Sequence, residues 1–113
     1  MKHLSLIICL ICLLGITSNS LSAMYPPAEM ERKLTILKDS GFVCRVEPEY
    51  NVAYVETSLW NAADYTLKKN ISAFLANYCG WKKGTDLYHV EIRDKYTGKK
   101  LAKYSQAWGF KVY

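Results

Sequence analysis

The sequence has few of the side chains from which catalytic and metal sites are usually built. It contains two histidines and four cysteines in 113 residues, and His89 is the only histidine beyond the N-terminal segment. A zinc site takes three or four such ligands, so no metal centre is expected. The segment TGKK lacks the upstream glycine and the spacing of a phosphate-binding loop. We therefore expect neither a metal nor a cofactor.

The sequence also lacks an apolar run long enough to cross a membrane. Lys2 and His3 precede an unbroken apolar stretch at residues 6–14, and polar residues 17–20 follow it closely. A transmembrane helix needs about 20 predominantly apolar residues. A short apolar run between a charged start and a polar, small-residue exit is typical of a secretory signal peptide.

The predicted signal peptide covers residues 1–23 and is cleaved. Cleavage after Ala23 fits the preference for small residues at the site, and cleavage after Ser20 is the alternative. The remaining residues 24–113 contain no internal repeat and no linker that could divide them. We expect a single exported domain, either periplasmic or secreted.

Two cysteines remain after this cleavage, and their spacing bears on stability. Cys44 and Cys79 form an even pair in an oxidising compartment, which favours a disulfide. Closing a loop of about 35 residues would contribute roughly 3 to 4 kcal/mol to a small domain. A redox-active pair would normally have the C-x-x-C spacing, which residues 24–113 lack. The sequence therefore predicts a structural Cys44–Cys79 bridge.

Helical periodicity marks two segments. Residues 28–38 can form a short amphipathic helix, and residues 64–78 form the longer and better marked one. Asp64 can cap the start of the longer helix, and Gly80 can end it. The apolar face of this helix consists of Leu67, Ile71, Phe74, Leu75 and Tyr78. Between the helices and strands, the stretch TSLWNAA is predicted to be a crossover turn that buries Trp60.

Period-two alternation marks the strands. In residues 42–47 the pattern predicts that Phe42, Cys44 and Val46 share one face. The other predicted strands are residues 51–56, 87–94, 99–104 and 109–113, with turns at 47–51 and 94–98. The predicted fold is α+β: a small, largely antiparallel sheet of two hairpins and a short C-terminal strand, with the main helix packed on one face and a short N-terminal helix.

Basic charge is concentrated in the last third of the chain. Residues 24–80 contain six basic and seven acidic residues, whereas residues 81–113 contain eight basic and three acidic ones. Lysines interleaved with aromatics can bind an anionic or amphipathic partner. The candidate binding surface consists of Lys82, Lys83, Lys95, Tyr96, Lys99, Lys100, Lys103, Tyr104, Trp108 and Lys111. The alternative is that Trp81 and Trp108 belong to the core and that the lysines protect a sheet edge formed by residues 99–104.

The sequence gives only weak evidence for catalytic residues. His89, Glu91 and Arg93 alternate on one strand face, and Glu47 and Glu49 flank a proline. A solvated strand face and an exposed turn produce the same patterns, and catalysis needs convergent partners in a pocket. No catalytic residue is therefore predicted.

These observations favour a small exported, disulfide-stapled binding protein without catalytic activity. Its partner would be a protein in the envelope or extracellular space, and its role that of an accessory factor or inhibitor. The alternative is a polyanion-binding or membrane-surface-binding protein that uses the basic C-terminal third. A small hydrolase using His89 and Glu91 is a remote third hypothesis. Nucleic acid is a disfavoured partner because of the exported location.

Overall fold

The computed structural model describes residues 27–113, so the predicted signal peptide and its cleavage site lie outside the described residues. The α+β class with a largely antiparallel sheet is confirmed. No helix within residues 27–113 has both the length and the apolar character that a membrane span requires. The elements are α1 (Pro27–Asp39), β1 (Val43–Glu47), a 3₁₀ turn (Pro48–Tyr50), β2 (Val52–Val55), α2 (Thr57–Ala62), α3 (Tyr65–Lys83), β3 (His89–Asp94), β4 (Lys100–Ser105) and β5 (Gly109–Val112).

The five strands lie side by side in the order β1-β2-β3-β4-β5. Neighbouring strands are antiparallel except β2 and β3, which are parallel because α2 and α3 carry the chain back to the end of the sheet from which β2 starts. The segment 99–104 was expected at a sheet edge, and this is wrong, because β4 lies between β3 and β5. The sheet edges are β1 and β5.

One face of the sheet carries the core, and we call it the inner face. The helix α3 packs against it, and Trp60 from α2 fills the space beside Phe42 and Phe110. On the strands the buried positions alternate with polar ones, as a sheet with one wet face requires. The buried inner-face residues of the strands are Val43, Ala53, Val55, Val90, Ile92 and Ala102.

The main helix starts where the sequence predicts and ends later. The carboxylate of Asp64 accepts a hydrogen bond from the Leu67 amide at 2.8 Å, so the predicted cap is confirmed. Gly80 does not end the helix, which continues to Lys83 and stops at Gly84, where φ is 69°. Gly80 instead lies against the ring of Tyr88, and an added Cβ there would overlap that ring.

The predicted disulfide is wrong, and a β-bulge is the reason. Val43 pairs with Val55 and Arg45 with Tyr54, which leaves Cys44 as the extra residue of the bulge. At the bulge Val43 is buried and Cys44 is exposed, against the prediction. Phe42 and Val46 keep their predicted places at the core. Cys79 lies in the core on α3, and both cysteines are free.

The stretch before the main helix also differs from its prediction. It forms the helix α2 instead of a turn, because the Glu56 carboxylate caps it by accepting a hydrogen bond from the Ser58 amide at 3.1 Å. Trp60 is buried, as expected.

The two thiols should differ sharply in reactivity. Burial raises the pKa of Cys79 to about 12, whereas Cys44 is exposed. Because the thiolate is the nucleophile, iodoacetamide at about pH 8 should modify Cys44 in the native protein and Cys79 only after unfolding. Mass spectrometry of the non-reduced protein measures this, and a Cys44→Ser variant is the control. A protein that takes up no label even when unfolded would contradict the two free thiols.

Gly80→Ala should destabilise the protein although alanine favours helix. Relieving the overlap with Tyr88 moves packed groups, which costs about 1 to 3 kcal/mol, whereas the gain in helix propensity is about 1 kcal/mol. We expect a lower free energy of unfolding in urea titrations. In a Tyr88→Ala background, where the ring is gone, the same change should be neutral or stabilising. If Gly80→Ala stabilised the otherwise wild-type protein, the contact between Gly80 and Tyr88 would be shown to be loose.

Candidate functional site

The opposite side of the sheet, which we call the open face, is covered by no helix within residues 27–113. The strand registers place on it the residues that alternate with the buried ones. Its central side chains are Tyr54, His89, Glu91, Arg93, Lys103 and Lys111. These residues come from four strands, so only the folded sheet brings them together.

A groove of about 730 Å³ crosses the open face. Tyr50 and Trp108 contribute to its lining, and these residues are 68% and 90% exposed. The turn that carries Tyr50 joins β1 to β2, and the turn that carries Trp108 joins β4 to β5. Because β2 and β3 run parallel, both turns lie at the same end of the sheet. Two exposed aromatic side chains therefore belong to one groove.

Most charged groups on this face already have partners. The Nε of Arg93 donates to Glu91 at 2.6 Å, and Lys100 lies 3.7 Å from the other oxygen of that carboxylate. The guanidinium of Arg45 lies 3.9 Å from the centre of the Tyr54 ring, a cation–π contact. These charged groups therefore have partners within the protein.

Lys103 and Lys111 have no such partner in the described part of the chain. They face each other across β4 and β5, and no acidic side chain within residues 27–113 forms an ion pair with either. Both line a pocket of about 270 Å³ together with Trp108 and Ser105. Like charges directly opposite each other destabilise a sheet. Glu91 is the cross-strand neighbour of Lys103, but its carboxylate is ion-paired with Arg93 and Lys100. The two lysines therefore form a cationic site without an ion-pair partner among the described residues, beside an exposed indole.

The other residues of the predicted binding surface lie in separate parts of the structure. Lys95 and Tyr96 lie at the other end of the sheet in the β3–β4 turn, where both contact the Glu56 carboxylate, at 3.1 and 3.0 Å. The hydrogen bond from the Ser58 amide, followed by those from Lys95 and Tyr96, lowers the pKa of Glu56 to about 2. These contacts join the turn to the start of α2. Lys99 precedes β4 in the same region.

The remaining predicted residues are two exposed lysines at the end of α3 and Tyr104 of β4. Lys82 and Lys83 lie in the last turn of α3, where Lys82 forms a 3.0 Å ion pair with Glu31. Tyr104 pairs with Phe110 and packs against the core. Of the predicted surface, the structure brings Lys103, Trp108 and Lys111 together in one pocket, and Tyr104 lines the groove together with Lys103 and Trp108. Lys100 contacts Glu91 on the same face, and the other predicted residues lie elsewhere.

Sequence reasoning missed Tyr50 and the arrangement of the groove. Tyr50 ends the 3₁₀ turn that begins at Pro48, and Asn51 after it has a left-handed backbone with φ of 55°. An aromatic residue in such a turn indicates a candidate contact residue, and the prediction considered only the alternation within the strands. The view that Trp108 is a core residue is wrong, because its indole is exposed.

The candidate catalytic groups do not form a proton-transfer pair. Within the described residues no hydrogen bond joins His89 to Glu91, whose carboxylate is held by Arg93 and Lys100. Glu49 lies in the 3₁₀ turn, after Glu47 at the end of β1. No three metal-binding side chains come together in residues 27–113.

The comparisons with known proteins give no assignment. No family model, no curated protein and no solved structure matches this chain. Function must therefore be argued from the groove and its charges.

The β3–β4 turn depends on one carboxylate. Asp94 accepts hydrogen bonds from the Thr57 hydroxyl and from the amide and hydroxyl of Thr97, the latter two at 2.8 Å. These bonds, that from Thr57 first, lower the pKa of Asp94 to about 2 from its usual value of 3.8. The charged carboxylate is therefore more stable in the folded state than in the unfolded chain.

Asp94 should make stability pH-dependent in acid. A lowered folded-state pKa contributes stability that is complete above the unfolded pKa of 3.8 and is lost as the pH falls through about 2. We expect Asp94→Asn to lower the melting temperature at pH 7, and the difference from wild type to shrink between about pH 4 and pH 2. Calorimetry across this range measures it. Asp86→Asn, at an exposed loop position, is the control. A constant difference across the range would contradict the assignment.

Proposed function

We propose that this protein is a small exported binding protein without catalytic activity, an accessory factor or inhibitor that contacts another protein of the envelope or extracellular space. The open face of the sheet is its binding surface. The observation that carries the proposal is the exposure of Trp108 beside a groove that no helix of residues 27–113 covers.

The aromatic groove suits a protein partner. Trp and Tyr are enriched among the residues that dominate binding energy, because a large rigid ring buries much area at little entropic cost. Trp108 makes no ring contact within the described residues, so its exposure is not explained by packing inside the domain. Tyr50 offers a second ring on the same groove.

A polyanion or a membrane surface is the second candidate, and the Lys103–Lys111 pair favours it. Two neighbouring lysines without an ion-pair partner in the described chain would attract phosphate, sulfate or carboxylate groups. The acidic Glu47 and Glu91 line the same groove and would repel a uniformly anionic polymer, which makes a partner with localised negative charge the better fit. The remote hydrolase hypothesis gains no support, since Glu91 is already engaged by two cations.

The proposal is tested with the protein immobilised and exposed to an envelope extract of its own host. We expect one or more proteins to be retained by the wild type, and the affinity of the purified partner to fall by at least about tenfold in Trp108→Ala. Leu87→Ala is the matched control, because Leu87 is similarly exposed but does not line the groove. Equal retention by Trp108→Ala would refute the role of the open face.

Ionic strength distinguishes the two candidate partners. An interface anchored by aromatic rings should weaken only about threefold between about 0.05 and 0.5 M salt, since screening acts on exposed charges. A steep loss of binding over this range, together with binding to a sulfated polysaccharide, would favour the polyanion candidate.

A further inference from the structure

The two edges of the sheet differ in how well they are protected. At β1 the bulge at Cys44 interrupts the strand, and α1 packs near it. Bulges blunt sheet edges and prevent pairing with other chains. Along β5 the pairing with β4 is regular, with no bulge and no proline. Only one edge of the sheet is therefore suited to receive a further strand.

The hydrogen-bond register shows which backbone groups β5 presents outward. The Tyr113 amide donates to the Leu101 carbonyl at 3.0 Å, and Val112 is the register partner of Ala102. Because antiparallel strands alternate hydrogen-bonded and non-hydrogen-bonded pairs, Phe110 and Val112 direct their N–H and C=O groups away from β4. No strand within residues 27–113 pairs with these groups.

Charge indicates what kind of strand would fit. A residue placed opposite Lys111 on the open face would have its Cβ about 4.5 to 5.5 Å from that of Lys111. Glu91 lies opposite Lys103 on β3, but its carboxylate is already ion-paired with Arg93 and Lys100. No acidic residue of the described strands lies opposite Lys111. A carboxylate beside Lys111 would therefore offset its repulsion with Lys103. Trp108 at the preceding turn offers an apolar contact at the end of the same strand.

We propose that β5 receives an extended acidic segment of the partner protein as a sixth strand. The inference rests on the proposed function and names the chemistry of the partner: main-chain hydrogen bonds to Phe110 and Val112, and an aspartate or glutamate beside Lys111. This is recognition by strand addition, in which the ladder supplies affinity and the side chains supply specificity. A polyanion would use the lysines but not the edge amides.

The test uses the purified full-chain protein, labelled with ¹⁵N, and a capped synthetic peptide of about seven residues with alternating valine and threonine and a central glutamate. Two matched peptides carry lysine in place of the glutamate, or N-methyl groups that remove the pairing amides. We expect the glutamate peptide to shift the Phe110 and Val112 amide resonances and slow their hydrogen exchange. The lysine peptide should bind at least about tenfold more weakly, and the N-methylated one should give no protection.

Variants separate the ladder from the charge. Val112→Pro removes the outward N–H without breaking the bonds to β4, and it should abolish peptide protection, whereas Val112→Ala should retain it. Lys103→Gln combined with Lys111→Gln should remove the preference for glutamate over lysine. Spectral dispersion and melting temperature report whether each variant is folded.

Three results would overturn the inference. The first is protection of the Phe110 and Val112 amides in the protein alone, which would mean that the edge is already covered. The second is peptide binding that leaves these amides unchanged. The third is equal binding of the glutamate and lysine peptides by the wild type. If a partner were still lost with Trp108→Ala but retained by Val112→Pro, strand addition would fail while the proposed function would stand.

Discussion

The packing of α3 against one face of the sheet is the constraint on which the rest of the structure depends. Leu67, Ile71 and Phe74 are buried against strands that come from both halves of the chain. To place this helix over the sheet, the chain must cross from the end of β2 to the start of β3, which makes that pair parallel. The crossover also places both aromatic turns at the same end of the sheet.

A sheet covered on one side divides its residues into two sets with different demands. On the inner face, small and branched residues such as Ala53 and Ile92 allow close approach of the helix. On the open face, charge is mostly compensated within the sheet, as by Arg93 and Glu91. The Lys103–Lys111 pair departs from that rule. Because two like charges opposite each other lower stability, a functional role is the best explanation for this pair.

Much of the fold could be predicted because its signals are local. The apolar spacing and the Asp64 cap define α3, and alternation locates the strands to within a few residues. The position of Cys44 could not be predicted, because a bulge depends on how two strands pair and leaves no fixed mark in one of them. The extra residue turns the Cys44 side chain out to solvent while Phe42 and Val46 stay at the core, and the disulfide prediction fails for that reason.

The candidate site shows the same limit at longer range. A basic C-terminal third was visible in the sequence, but its lysines separate once the strands are ordered. Lys95 contacts Glu56 and Lys82 contacts Glu31, whereas Lys103 and Lys111 lie beside Trp108 without an ion-pair partner in residues 27–113. The amino-acid composition gives the number of charged residues, whereas binding depends on which of these residues lack a partner inside the protein. The placement of β5 at the edge makes those charges accessible to a second chain, because an edge strand presents unpaired backbone groups along with its side chains. Charge, indole and free backbone thus converge at one strand, and their convergence argues for binding more strongly than any of them alone.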